Sequence, residues 1–335
     1  MDPLSTLSVD FIGAPVWAWA LFAIVVVLLL AFDLGVLHRK AREIPVGESL
    51  LLSAGYIAAA LLFGAFVWWS RGAADGMDYL TGYLIEKSLS LDNVFVISLI
   101  FGSLAVPREY QHRVLFYGIL GVLLLRAVVI GLGAGLVAEF GWILYFFAAF
   151  LIFTGVKMLW AAADHEPDIA GGRIVTFLRR HLPLTDRLHG SAFVVRDASR
   201  KVGRYGWVAT PLLLALLLVE FVDLVFALDS VPAILAITTD PYIVYTSNIF
   251  AVLGLRALYF ALGATIHRFR YLKYALALIL VFIGGKIIVS HAIGKVDPAI
   301  SLGVTVALLA GGILFSLWKT ARTPPAVAAP AAGEG

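Results

Sequence analysis

Residues 17–37 read "WAWALFAIVVVLLLAFDLGVL", a run of 21 residues in which Asp33 is the one charge. As a helix this run crosses about 30 Å of hydrocarbon. Comparable runs recur along all 335 residues, which are 61% hydrophobic and 14% charged. Mean hydropathy is +0.95. A soluble domain is nearer half apolar and a quarter charged. The long unbroken runs exclude a transmembrane β-barrel, whose strands are short and alternate. The fold class is therefore an all-α polytopic transmembrane helix bundle.

Nine spans are expected, near 15–37, 48–69, 77–104, 112–136, 141–162, 207–237, 243–265, 271–291 and 298–319. Together they make a membrane domain over 15–319, with a short external N-terminus at 1–14. The first run lacks a basic leading region and a cleavage site, so it reads as a retained helix. "HRKAR" (38–42), "REYQHR" (108–113), segment 163–206 and "HRFRYLK" (267–273) are basic, and they alternate with connections poor in Lys and Arg. The positive-inside rule then places the N-terminus outside and the C-terminus in the cytoplasm of a bacterial inner membrane. The 163–206 loop is expected as a solvated cytoplasmic linker near anionic headgroups. Its stretch "SAFVVRDASRKVGRYGWVAT" (191–210) predicts a small β-hairpin. The tail 320–335, rich in Pro, Ala and Gly, is expected to be disordered.

Absence of cysteine excludes disulfides and thiolate metal sites. The net charge of +3 arises mainly in loops and is no nucleic-acid signature. Zincin, nucleophile-elbow and P-loop motifs are absent, so no enzyme and no resident cofactor is expected.

The spans also contain an internal repeat. "EKSLSLDNV" (86–94) aligns with "DLVFALDSV" (223–231), setting Glu86 on Asp223, Asp92 on Asp229 and Asn93 on Ser230. "GVLLLRA" (121–127) aligns with "AVLGLRA" (251–257), setting Arg126 on Arg256. "IFTGVKML" (152–159) aligns with "VFIGGKII" (281–288), setting Lys157 on Lys286. Each unit holds three spans, about 77–162 and 207–291, so the second enters the membrane from the opposite face. Inverted repeats of this kind are typical of secondary transporters with a midplane site.

An ionisable residue at a helix centre costs about 2.5–3.5 kcal/mol on the lenient insertion scale. Asp33, Glu86, Asp92, Glu220, Asp223 and Asp229 lie in or near spans, as do Lys87, Arg126, Lys157, Arg256 and Lys286. Charge pairing is expected, with the cations neutralising or gating the acids. Glu86 and Asn93 share one helix face, and so do Glu220 and Asp223. Oxygens of Asp92, Asp229, Glu86, Asp223, Asn93 and Ser230 form a hard donor set, suited to Mn²⁺, Mg²⁺ or Ca²⁺. Asp33 and Glu220 are further candidates. So is the Leu228 carbonyl, which Pro232 deprives of its helical donor.

At these residues the chain resembles the TerC family of integral membrane proteins, named for tellurite resistance. The resemblance rests on "EKSLSLDNVFV" (86–96), "FDLGVLHRK" (32–40) and "LVEFVDLVFALDSVPAILAITTDPYIVYTSNIFAVLGLRALYF" (218–260), and it covers about 15–320. It implies about nine spans and kinship with the LysE transporter superfamily. Some members of that family export manganese, one set of them under alkaline stress. The resemblance implies that the family's acidic positions fall on Glu86, Asp92, Asp223 and Asp229, with Asp33 and Glu220 as further positions. Three functions follow as expectations. The first is export of a divalent cation, Mn²⁺ foremost, in exchange for protons. The others are a membrane scaffold in a tellurite or envelope-stress response, and export of a small organic solute.

Overall fold

The computed structural model describes residues 9–37, 45–160, 173–185, 187–196, 206–262, 271–294 and 296–321; within these, the side chains of 34–37, 92, 173–174, 229, 291–293 and 321 are outside the description. The helices are α1 (Val16–Leu37), α2 (Val46–Arg71), α3 (Ala73–Ser103), α4 (Arg108–Glu139), α5 (Ile143–Trp160), α6 (Arg173–His181), α7 (Pro211–Leu235), α8 (Pro241–Leu253), α9 (Leu255–Leu262), α10 (Leu272–Ile293) and α11 (Pro298–Ala321). Two small hairpins complete the described residues, β1 (Asp10–Phe11) with β2 (Ala14–Pro15) and β3 (Val194–Arg196) with β4 (Trp207–Ala209).

The protein is an all-α membrane bundle. Eight segments among the described residues are long and apolar enough to cross a bilayer, α8 and α9 counting together as one. The third expected span, α3, is the one outside this set and is 31 residues long. Glu86, Lys87 and Asp92 hold it below that apolar standard. It nevertheless runs through the bundle, with Tyr79, Ile85, Glu86 and Ile100 all 1% exposed or less.

Contacts between distant residues group the connections into two ends. At one end Arg71 donates to the Gly13 carbonyl (2.8 Å) and to Asp75 (2.8 Å), and it pairs with Asp240. Gly72 turns α2 into α3 here at φ +101°, a conformation that side chains rarely adopt. At the other end Tyr259 donates to Gln111 (2.9 Å), Arg113 to Ser191 (2.6 Å), and the Tyr271 amide to Ser316 (3.3 Å).

α8 lies at the centre, with buried residues along nearly its whole length. Around it an aromatic cluster joins Phe22, Phe63, Tyr79, Tyr242 and Phe250, the Phe63 and Phe250 rings lying 4.7 Å apart. α5 and α10 pack closely because glycine lets their backbones meet. A Cβ on Gly155 would lie 2.6 Å from the Ala277 carbonyl oxygen, and one on Gly284 would lie 2.6 Å from that of Ala148.

Three expectations change. The seventh span is two helices, broken at Gly254 between α8 and α9. The sixth span starts at Pro211, because 207–209 pair as β4 with β3, as the hairpin reading predicts. The 163–206 connection is no mere solvated linker. Its α6 buries Val175, and Leu178, Leu184 and Phe193 pack on a core that includes Val114 and Leu212. Two further expectations fall largely outside the described residues, namely the N-terminus before Val9 and the tail beyond Ala321. The part of the N-terminus that is described folds as the β1–β2 hairpin, with Ala14 buried.

Candidate functional site

Arg126 is the focus of the charged interior. It projects from α4 and is fully buried. Its Nη1 pairs with Glu86 of α3 and donates to the Asn248 Oδ1 of α8 at 2.6 Å. Its Nη2 and Nε donate to the two oxygens of Asp223 on α7, at 2.9 and 3.3 Å. Asn248 Nδ2 donates to the second Glu86 oxygen at 3.1 Å. One guanidinium thus ties the matched acids Glu86 and Asp223 together, one from each sequence unit. Each carboxylate oxygen of the pair has a donor. In this arrangement Arg126 supplies their counter-charge.

A second pair lies beside it. Arg256 on α9 is bonded to Asp33 on α1, both almost fully buried, and the Tyr56 hydroxyl also reaches Asp33. Asp33 is therefore the counter-ion of Arg256. The matched arginines differ in what they bind: Arg126 bridges the two units, whereas Arg256 turns to α1.

Lys87 caps the break in the seventh span. Its Nζ donates to the Ala251 carbonyl at 3.1 Å, near the end of α8. A Cβ on Gly254 would come within 2.9 Å of that ammonium, so the break and the lysine fit each other. Glu220 lies one turn before Asp223, in a notch left by Gly121, where a Cβ would be 2.0 Å from its Oε1. Its Oε2 is buried and has no hydrogen-bond partner among the described residues.

Asn93 and Ser230 carry the most informative oxygens. Asn93 Oδ1 and Ser230 Oγ are buried without hydrogen-bond partners among the described residues, and the two residues are only 3% and 1% exposed. Both line one small cavity of about 50 Å³, together with Glu86, Leu89, Met158, Phe226 and Leu280. Native interiors rarely leave such groups unpaired. Asn93 also borders a second, narrower void of about 20 Å³ beside Asp223 and Arg256. Asp92 and Asp229 adjoin this pair on α3 and α7, but their side chains lie outside the described residues. Among the described residues no three His, Cys, Asp or Glu gather as a metal site.

The remaining expected residues lie apart from this cluster. Leu228 is 55% exposed on α7. Lys157 is exposed, while Lys286 is half-buried within Coulombic reach of Asp78. Sequence reasoning missed Asn248, although an amide inside the apolar run "PYIVYTSNIFAVL" was a visible signal. It also missed Asp240, which caps α8 by accepting from the amides of Tyr242 (2.9 Å) and Ile243 (3.3 Å).

Residues 71–324 match the Integral membrane protein TerC family. The chain belongs to the TerC family. Its curated relatives share nearly the whole length. "Uncharacterized membrane protein STKORF319" of Myxococcus xanthus is 47% identical over 313 residues, 93% of this chain and 95% of the relative. "Uncharacterized membrane protein RC1219" of Rickettsia conorii is 45% identical over 301 residues, 90% of this chain and 97% of its own. "Putative membrane-bound redox modulator Alx" of Escherichia coli K12 is 45% identical over 320 residues, 93% and 97% of the two chains. No solved structure matches this TerC chain.

Proposed function

We propose that this protein is a secondary transporter that exports a divalent cation across the inner membrane, with Mn²⁺ the cargo its donors suit best. The observation that carries this reading is the pair of orphaned oxygens, Asn93 Oδ1 and Ser230 Oγ, on one buried cavity. Each follows an aspartate in its helix, Asp92 in α3 and Asp229 in α7. Two amide or hydroxyl oxygens and two carboxylates form a hard, doubly negative ligand set. Arg126 keeps Glu86 and Asp223 out of that set, so the site does not gather more negative charge than one ion can neutralise. Release of protons from ligands on metal binding makes proton exchange the natural coupling.

The transport cycle in this reading is a rocking of two inverted units. Support comes from the α5–α10 crossing, where Gly155 meets Ala277 and Gly284 meets Ala148, residues that the repeat alignment matches to one another. The N-terminus is external and the C-terminus cytoplasmic in this reading, from the distribution of basic loops.

A scaffold role is the second reading, favoured by the mutual satisfaction of Arg126, Glu86, Asp223 and Asn248. Purified protein in liposomes separates the two. Mn²⁺ flux driven by a proton gradient, stronger than that of Mg²⁺, is expected. No flux of either metal under any gradient would leave the scaffold reading in place.

A further inference from the structure

A large cavity of about 570 Å³ opens at the bundle end that holds the α2–α3 and α7–α8 turns. Its polar lining includes Asp78 of α3, Tyr145 of α5, Thr238 and Thr239 of the α7–α8 turn, and Lys286 and Ser290 of α10. It lies above the Asn93–Ser230 cavity along shared helices. Leu235 borders the large cavity and Ser230 the small one, a rise of about 7.5 Å on α7. On α10, Lys286 and Leu280 are likewise about 9 Å apart along the axis.

The charges here are unequal between the two sequence units. Lys286 corresponds to Lys157, but Lys157 is exposed and lines none of these cavities. Asp78 lies eight residues before Glu86, and the residue eight before Asp223 is Ala215, which is fully buried. The acid–lysine pair thus exists at one end of the bundle and has no matched acid in the other unit.

We propose that the large cavity is a water-filled vestibule on the external side through which the cation leaves, and that Asp78 and Lys286 form a charge gate on its wall. Asp78 receives the departing divalent ion as it separates from Lys286. The Lys286 ammonium, a fixed positive charge beside the route, raises the barrier to a cation at this mouth, while the driving gradient sets the net direction. The assignment of the cation as cargo rests on the transport reading above, whereas the geometry of the gate does not.

The chain has no cysteine, so a single Ser290→Cys substitution reports on this cavity alone. In spheroplasts, membrane-impermeant cationic and anionic methanethiosulfonate reagents are expected to modify it from outside. Adding Lys286→Met should raise the ratio of cationic to anionic rates about threefold or more, as unit charges at this range act in wet protein. Adding Asp78→Asn should lower the ratio. The two variants move it in opposite directions, so the test survives failure of either one to fold. Lack of modification from outside would overturn the vestibule, and a ratio unmoved by the folded variants would overturn the gate. In liposomes, Lys286→Met should also raise the rate of Mn²⁺ passage under a fixed gradient, and an unchanged rate counts against the gate. A wild-type protein that carries no Mn²⁺ while the reagent rates shift as stated would instead sink the transport reading and leave the charge pair standing.

Discussion

Gly155 and Gly284 make the same contact from opposite sides of one helix crossing. A Cβ on Gly155 would lie 2.8 Å from Val281, and one on Gly284 would lie 2.8 Å from Ile152. Each would also press on a backbone carbonyl, which cannot move as a side chain can. Overpacking of this kind costs about 1–3 kcal/mol. Gly155→Val and Gly284→Val should therefore lower the thermal midpoint in detergent by similar amounts. Gly285→Val, where a Cβ meets nothing within 4 Å, should be mild. A large effect at only one of the two matched glycines would break their equivalence.

Arg126 is fully buried. Arg126→Ala leaves Glu86 and Asp223 facing one another in the interior, a loss of about 3–5 kcal/mol for a broken buried pair. Asn248→Ala removes one donor and one acceptor from the same network and should cost less, about 1–3 kcal/mol. Combining Arg126→Met with Glu86→Gln and Asp223→Asn removes the stranded charges, so folded yield should partly recover. Size-exclusion profiles and thermal midpoints of the same preparations check all three. A triple variant no better than Arg126→Ala would show that the network holds more than charge balance.

The Arg71–Asp240 clasp gives a prediction with a pH sign. Burial pushes the Asp240 carboxyl above its usual range, while Arg71 and the amides of Ile243 and Tyr242 pull it back. A carboxyl raised in the folded state binds its proton more readily there than when unfolded. Its contribution is thus fully present below the unfolded pKa and is lost as pH rises through the folded one. Asp240→Asn keeps the helix cap and mimics the protonated form, so it should flatten that part of the pH–stability curve. Arg71→Ala also loses the bond to Gly13 and should destabilise more than Asp240→Asn at neutral pH. A steeper pH dependence in Asp240→Asn would contradict the sign.

The all-α membrane class, the hairpin at 191–210 and the buried arginine–acid pairing were legible in the sequence, because apolar runs and misplaced charges are local signals. The identity of each partner was not. Glu86 and Asp223 looked like ligands because their chemistry permits it, and only the packing of α3, α4, α7 and α8 reveals that Arg126 reaches both. Lys87 offered no hint of its bond to Ala251, since the break at Gly254 comes from close packing and not from a proline. Likewise α6 was read as part of a linker, because a nine-residue helix is too short to give a strong periodic signal.

Topology follows from the two bundle ends. Cysteines at Ala74 and Thr239 belong to the end fixed by Arg71, and both should react with impermeant maleimide from outside. A cysteine at Ala198, which lies outside the described residues, should react only after the membrane is opened. External reaction at 198 would reverse the orientation and remove the basis for an inverted repeat.

The decisive residues are Asp92 and Asp229. Asn is nearly isosteric with Asp but lacks the charge that a dehydrated divalent ion requires. If the two acids hold the cargo with Asn93 and Ser230, then Asp92→Asn and Asp229→Asn should insert and purify normally, since each removes a costly charge from the bilayer. Both should lose Mn²⁺ flux and Mn²⁺-dependent thermal stabilisation. Asn93→Ala and Ser230→Ala should weaken Mn²⁺ affinity less, because each removes a neutral oxygen and relieves an orphaned group. Ser88→Ala should be close to neutral for Mn²⁺, since its hydroxyl already bonds to the Leu84 carbonyl at 2.6 Å. The scaffold reading predicts a different order. There the aspartates neutralise buried cations, and removing one strands its partner and lowers folded yield. Yield and Mn²⁺ affinity measured on the same purified variants separate the readings. Normal affinity in both asparagine variants would dismiss the ligand assignment, and low yield in both would make the charges structural.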